Sequence, residues 1–205
     1  RVEIAGDNTW RIHGVGVGGF AKPTGTLDFG NSGTGCRLAI GAVAGAPGTG
    51  TFDGEESLRS RPMQRVLDPL KKMGARVVEV AESGRLPLTL QGAAEPIPIV
   101  YEPPVASAQL KSAVLLAGLA APGETTVIEA EATRDHTERL LKHFGAKISS
   151  KPFGEHGRRI VLQGQPELEP ANVLVPADPS SAAFPLVAAL VVPGSELILD
   201  AVMTN

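Results

Sequence analysis

Four short stretches carry residue types that could hold an anion. Residues 28–41 read DFGNSGTGCRLAIG, with glycines at 30, 33 and 35 beside Asn31, Ser32 and Thr34, running straight into an apolar helical pattern. Such a start can cradle a phosphate or carboxylate on unpaired backbone N–H groups at the positive end of the helix. It can equally be a plain connection where two backbones pass closely. Arg37 follows within one turn. In ESLRSRPMQRV (56–66), Arg59 and Arg61 precede Pro62, a residue suited to the first helical position. The residue before a proline is held extended, so Arg61 is a fixed projection, and its guanidinium fork matches carboxylate or phosphate. A solvated charged loop is the plainer alternative. Arg134, in ATRDHTERL, takes the matching place further along, and Ser107-Ala108-Gln109 opens a second apolar helix. Ser107 reads as an N-cap. Gln109 is an amide at the head of an apolar helix and needs a partner.

Other chemistries lack their residues. His13, His136, His143 and His156 have no metal-ligand spacing, so no metal is expected, and Cys36 reads as a small core residue rather than a nucleophile. There is no GK[ST] loop, Rossmann fingerprint or Ser-His-Asp elbow. Among 205 residues the net charge is −3, which speaks against a nucleic-acid partner. No uninterrupted apolar run reaches the ~18 residues of a membrane span, and a single cysteine fits a reducing, cytoplasmic compartment. The chain opens on Arg1 and stops after an apolar strand pattern, and reads as a piece of something longer.

The elements that must position these residues come as a repeat. Pro-Gly recurs at 47–48, 122–123 and 193–194, each time after an Ala-rich apolar run and before a strand-like segment (TGTFDG, ETTVIEA, SELILDA). RPMQRVLDPLKKMGARVVEV (61–80) resembles RDHTERLLKHFGAKISS (134–150), and RLPLTLQG (85–92) and RRIVLQG (158–164) both end in Leu-Gln-Gly. The period is roughly 70 residues: buried helix, strand, amphipathic helix, then two strands. Met63, Val66, Leu67, Leu70 and Met73 have helical spacing, with Gly74 and Gly145 where a helix C-terminal glycine belongs. Segments 35–46 and 108–121 are apolar nearly all round, which predicts helices buried on all sides between sheets. The fold class expected is α/β (α+β).

Together GNSGTGCRL, RPMQRVLDPLKKMGA, RLPLTLQG, ASAQLKSAVLLAGL, TRDHTERLLKHFGA and DPSSAAFPLVAAL resemble the 5-enolpyruvylshikimate-3-phosphate (EPSP) synthase family, closest to its bacterial class II branch. The resemblance implies repeated βαβαββ units with buried parallel helices. It also implies transfer of enolpyruvyl from phosphoenolpyruvate to the 5-hydroxyl of shikimate 3-phosphate, without metal or cofactor. Residue by residue, it places Gly33, Arg61 and Gln109 at phosphoenolpyruvate, and Ser107, Ala108, Gln109 and Arg134 at shikimate 3-phosphate. The inhibitor glyphosate occupies the phosphoenolpyruvate subsite, and tolerant class II members carry Ala where this chain has Gly33. The family's opening Lys-Ser pair and the distal Asp, Lys, Glu and Arg residues are not in the sequence, so no catalytic residue is assigned within it. Residues 1–205 alone are expected not to turn over, with the remainder of the enzyme as their partner. The implied organisation is a substrate-binding domain over 1–176, and an interdomain crossover with the first helix-strand of the other domain over 177–205. The helix around 180–192 is then expected to pack on an exposed face or to self-associate. The alternatives are a non-catalytic shikimate 3-phosphate-binding half-domain and a UDP-N-acetylglucosamine enolpyruvyl transferase, the latter opposed by the lack of that family's loop cysteine.

Overall fold

Alternation along RLPLTLQG buries Leu86, Leu88 and Leu90 and turns Arg85, Pro87 and Gln91 outward, the pattern of a strand with one face on a core. This strand is one of the two inner strands of the first of two like sheets. A computed structural model describes residues 1–204 and divides the chain into Arg1–Pro170 and Ala171–Asn205. The first unit opens with a hairpin of β1 (Val2–Ile4) and β2 (Trp10–Ile12). Next come β3 (Leu27–Asp28), α1 (Gly33–Ala44), β4 (Gly48–Asp53), the short α2 (Glu56–Arg59), α3 (Gln64–Lys72), β5 (Arg76–Ala81) and β6 (Arg85–Gly92). The series then repeats as β7 (Val100–Tyr101), α4 (Ala108–Gly118), β8 (Glu124–Glu129), α5 (His136–His143), β9 (Ile148–Phe153) and β10 (Gly157–Gln163).

The two sheets have the same order. In β3-β4-β6-β5, β3 runs parallel to β4 (Asp28 opposite Asp53), while β4–β6 and β5–β6 are antiparallel. In β7-β8-β10-β9, β7 runs parallel to β8 (Tyr101 opposite Val127), and the other two pairs are antiparallel. Each set is therefore one βαβαββ repeat, as the sequence period predicts. Phe52, Leu58, Met63, Leu88 and Leu90 are fully buried from the first repeat, with Leu115, Val127, Ile160 and Leu162 from the second.

Helices α1 and α4 carry too little polar surface to face water, and they pack on each other. Their contact is backbone on backbone. A Cβ on Gly41 would fall 2.4 Å from the Ala113 carbonyl oxygen, and one on Gly45 would fall 2.5 Å from that of Ala117. Only glycine admits that approach. The amphipathic helices end as expected, at Gly74 with φ 101° and Gly145 with φ 89°.

Several boundaries differ from the sequence reading. Helix α1 starts two residues earlier than expected because Ser32 caps it, its side chain accepting from the Gly35 N–H. Helix α4 stops at Gly118, where Leu119–Gly123 turn toward β8. Pro62 lies outside α3: the Met63 N–H is drawn to the Gly84 carbonyl at 2.8 Å, and the helix begins only at Gln64.

The second unit holds α6 (Pro179–Val191), with Asp178 accepting from the N–H groups of Ser180 and Ser181. One bridge joins Ala177 to Val202. SELILDA is not a strand there, because a strand needs a paired neighbour and this unit offers it no ladder among the described residues. Helix α6 is apolar all round, and within the described chain none of its residues is buried, Phe184 being 80% exposed. The expected crossover at VPADPSS falls within this unit. No helix among the described residues is long and apolar enough to cross a membrane.

Candidate functional site

Both buried helices start with a capping serine, and the two starts meet. Ser32 caps α1, and Ser107 caps α4 with its Oγ accepting from the Leu110 N–H at 3.3 Å. From α4, the Gln109 Nε2 donates to Thr34 Oγ1 at 2.7 Å. From α1, the Arg37 Nη1 donates to Gln109 Oε1 at 3.1 Å and to the Gly33 carbonyl at 3.2 Å, and its Nη2 reaches the Pro62 carbonyl at 3.4 Å. Gln109 therefore has the partners an amide in that place requires. One guanidinium joins α1, α4 and the Arg61-Pro62 corner. Burial, with a smaller contribution from the like charge of Arg61, pulls Arg37 below its usual pKa, though a guanidinium stays charged at neutral pH.

Gly33 is buried between two cations. A Cβ at this position would lie 2.9 Å from Nη1 of Arg37 and 2.9 Å from Nη1 of Arg61. Two guanidinium ends thus converge on one glycine, and neither forms an ion pair with a carboxylate among the described residues. Like charges brought together in this way favour an anion between them.

The Arg61 loop is braced from behind. Arg59 grips Asp53 through two hydrogen bonds, Nε to Oδ1 at 2.7 Å and Nη2 to Oδ2 at 2.5 Å, while the Gly54 N–H also donates to Asp53. Arg59 in particular holds the Asp53 carboxyl below its ordinary range. The Asn31 amide donates to Glu55, tying the glycine turn to the same loop.

Of the residues expected at the site, Gly33, Arg61 and Gln109 come together, with Ser107 and Ala108 in the turn that opens α4. Arg134 lies exposed on the loop between β8 and α5, and no hydrogen bond of the Gly33 group reaches it. That loop flanks a cavity of about 310 Å³ lined by Pro103–Ser107 and Glu129–Glu131. Cys36 is fully buried and its thiol is pushed up to about 11 by burial, so it offers no nucleophile.

Sequence reading set Arg37 within one turn of the glycine start but missed its bonds to Gln109 and to the Pro62 carbonyl. It also missed Lys111, a charged residue within an apolar helix that, like Gln109, needed partners.

A model of the EPSP synthase family (3-phosphoshikimate 1-carboxyvinyltransferase) matches residues 2–205. The curated 3-phosphoshikimate 1-carboxyvinyltransferase of Bradyrhizobium diazoefficiens is 71% identical over 204 residues, covering 100% of this chain and 44% of the relative. That of Rhodopseudomonas palustris strain HaA2 is 69% identical over 205 residues, covering 100% and 46%. A solved structure of EPSP synthase from Acinetobacter baumannii superposes with a TM-score of 0.84 at 42% identity, covering 100% of this chain and 45% of that one. The chain thus spans a little under half the length of these relatives.

Proposed function

The chain belongs to the EPSP synthase family, and on that premise we propose that it supplies the substrate-binding part of an enolpyruvyl transferase. The reaction is transfer of enolpyruvyl from phosphoenolpyruvate to the 5-hydroxyl of shikimate 3-phosphate. Protonation of the enol carbon and attack by the hydroxyl give a tetrahedral intermediate, which loses phosphate. One observation carries this reading: the guanidinium ends of Arg37 and Arg61 converge on Gly33 beside the Gln109 amide. Two cations converging on one glycine suit a small dianion such as phosphoenolpyruvate.

Gly33, Arg61 and Gln109 take phosphoenolpyruvate, or glyphosate in its place. Ser107, Ala108, Gln109 and Arg134 take shikimate 3-phosphate. The Ser107 Oγ accepts from the helix, which leaves its O–H to donate to a ligand. Residues 1–176 form the substrate-binding domain and 177–205 the crossover, in a cytoplasmic enzyme that uses no cofactor. The Gly33 group contains cations, an amide and a hydroxyl, with no carboxylate or imidazole among its hydrogen-bonded members. It has the means to bind anions, whereas moving protons falls to groups outside it.

Calorimetric titration with each substrate, together with a phosphate-release assay on residues 1–205, tests this reading. Shikimate 3-phosphate should bind and no phosphate should be released. Normal turnover would overturn the division of labour. Failure to bind either substrate would overturn the assignment, and preferential binding of UDP-N-acetylglucosamine would redirect it.

A further inference from the structure

Lys111 is 1% exposed, the most deeply buried charge in a helix that is otherwise apolar. Its Nζ lies 3.1 Å from Glu129 Oε2 and 2.7 Å from Glu138 Oε1, and both carboxylates are themselves buried. Glu129 is the last residue of β8, while Glu138 lies in the first turn of α5. The segment between those elements carries Arg134. Thr133, the residue before Arg134, donates its hydroxyl to the other oxygen of Glu129, and Ser112 and Thr137 share a hydrogen bond of 2.7 Å that pins α4 to α5 again.

The first repeat has the same device with different partners. Asp53 is the last residue of β4, as Glu129 is of β8, and it holds Arg59, two residues before Arg61. In both repeats a carboxylate ending an inner strand grips the loop that delivers an arginine. The first uses an exposed guanidinium. The second uses a threonine hydroxyl and a buried ammonium. A side chain serving only to fill the core would not need a fully buried cation, which is costly unless its partners are held in place.

We propose that Glu129, fixed by Lys111, is a positioning residue for Arg134: through Thr133 it sets where the loop presents the guanidinium, and so the affinity for a phosphorylated ligand. This rests on the function proposed above. Lys111→Met would strand two buried carboxylates and can fail to fold, so the test uses Thr133→Val, which keeps the shape and removes the hydroxyl. Binding of shikimate 3-phosphate is measured by calorimetry on the 205-residue chain, on Thr133→Val, on Arg134→Ala and on the double variant, with thermal unfolding of each.

Thr133→Val takes one donor from a buried carboxylate, so it should lower the unfolding midpoint modestly while the chain stays folded at the titration temperature and binds several-fold more weakly, and Thr133→Ser should restore binding. The double variant should bind no worse than Arg134→Ala alone, because the effect passes through Arg134. Additive losses in the double variant, or unchanged affinity in Thr133→Val, would overturn the proposal while the functional reading stands. No binding to the unaltered chain would bring down both.

Discussion

Arg37 and Gln109 stand 72 residues apart in sequence and 3.1 Å apart in space, joined across the starts of two helices that run in the same direction. The backbone contacts of Gly41 with Ala113 and Gly45 with Ala117 have the same offset. The register of α1 against α4 therefore equals the period of the repeat, and close approach at the two glycines brings the amide within reach of the guanidinium. Site geometry and helix packing are one arrangement.

Replacing Gly41 with Ala tests this directly. The added methyl meets a carbonyl and a Cα of the facing backbone, and neither can swing aside as a side-chain end would. Gly41→Ala should destabilise by about 1–3 kcal/mol or more. It should also weaken phosphoenolpyruvate binding as Gln109 moves away from Arg37. Chemical denaturation and titration calorimetry measure the two effects, and loss of stability with intact binding would separate packing from site.

Gly33→Ala should behave differently. Its methyl meets the ends of two arginine side chains rather than backbone, with Leu58 Cδ1 at an ordinary 3.6 Å, so the unfolding midpoint should fall less than in Gly41→Ala. The two guanidiniums must move by tenths of an ångström, and weakening one charge-assisted hydrogen bond to a bound anion should cost on the order of tenfold in affinity. In the full-length enzyme, glyphosate inhibition should weaken by about that factor and by more than the KM for phosphoenolpyruvate rises. Equal inhibition constants for the unaltered enzyme and its Gly33→Ala variant would refute the steric account.

The buried charge cluster should respond asymmetrically. Lys111→Met leaves two carboxylates without their cation and should cost about 3–5 kcal/mol in urea unfolding. Glu138→Gln should change stability by no more than about 1 kcal/mol. Its Oε2 is buried without a hydrogen-bond partner among the described residues, and Glu129 remains to pair with Lys111.

Cys36 supplies a probe of opening. Its folded pKa of about 11 lies above the ordinary thiol value, so its contribution to stability is full below that ordinary value and is lost as pH rises through 11. At pH 8 the native thiol should resist a soluble thiol reagent, and labelling should track urea unfolding. Rapid labelling of the native chain would show that α1 does not stay packed.

The repeat was legible because its punctuation is chemical: Pro-Gly after each apolar run, Leu-Gln-Gly at the end of each long strand, glycine after each amphipathic helix. Gly33, Arg61 and Gln109 were legible as candidates because each departs from its surroundings. The bonds among them were not, since Arg37 meets Gln109 only through the register of two helices. Lys111 stayed hidden for a related reason: its partners sit on a strand end and on a different helix. SELILDA shows the reverse failure, because an apolar pattern states a need for a paired neighbour without stating whether one lies nearby.

The two loop braces differ in what dissolved ions can reach. Arg59 is 52% exposed where it grips Asp53, whereas Lys111 and Glu129 are almost sealed from solvent. Mobile counterions screen the first pair and leave the second nearly untouched. Raising the ionic strength therefore loosens the support behind Arg61 while that behind Arg134 keeps its strength, so two loops built on one repeat answer differently to salt.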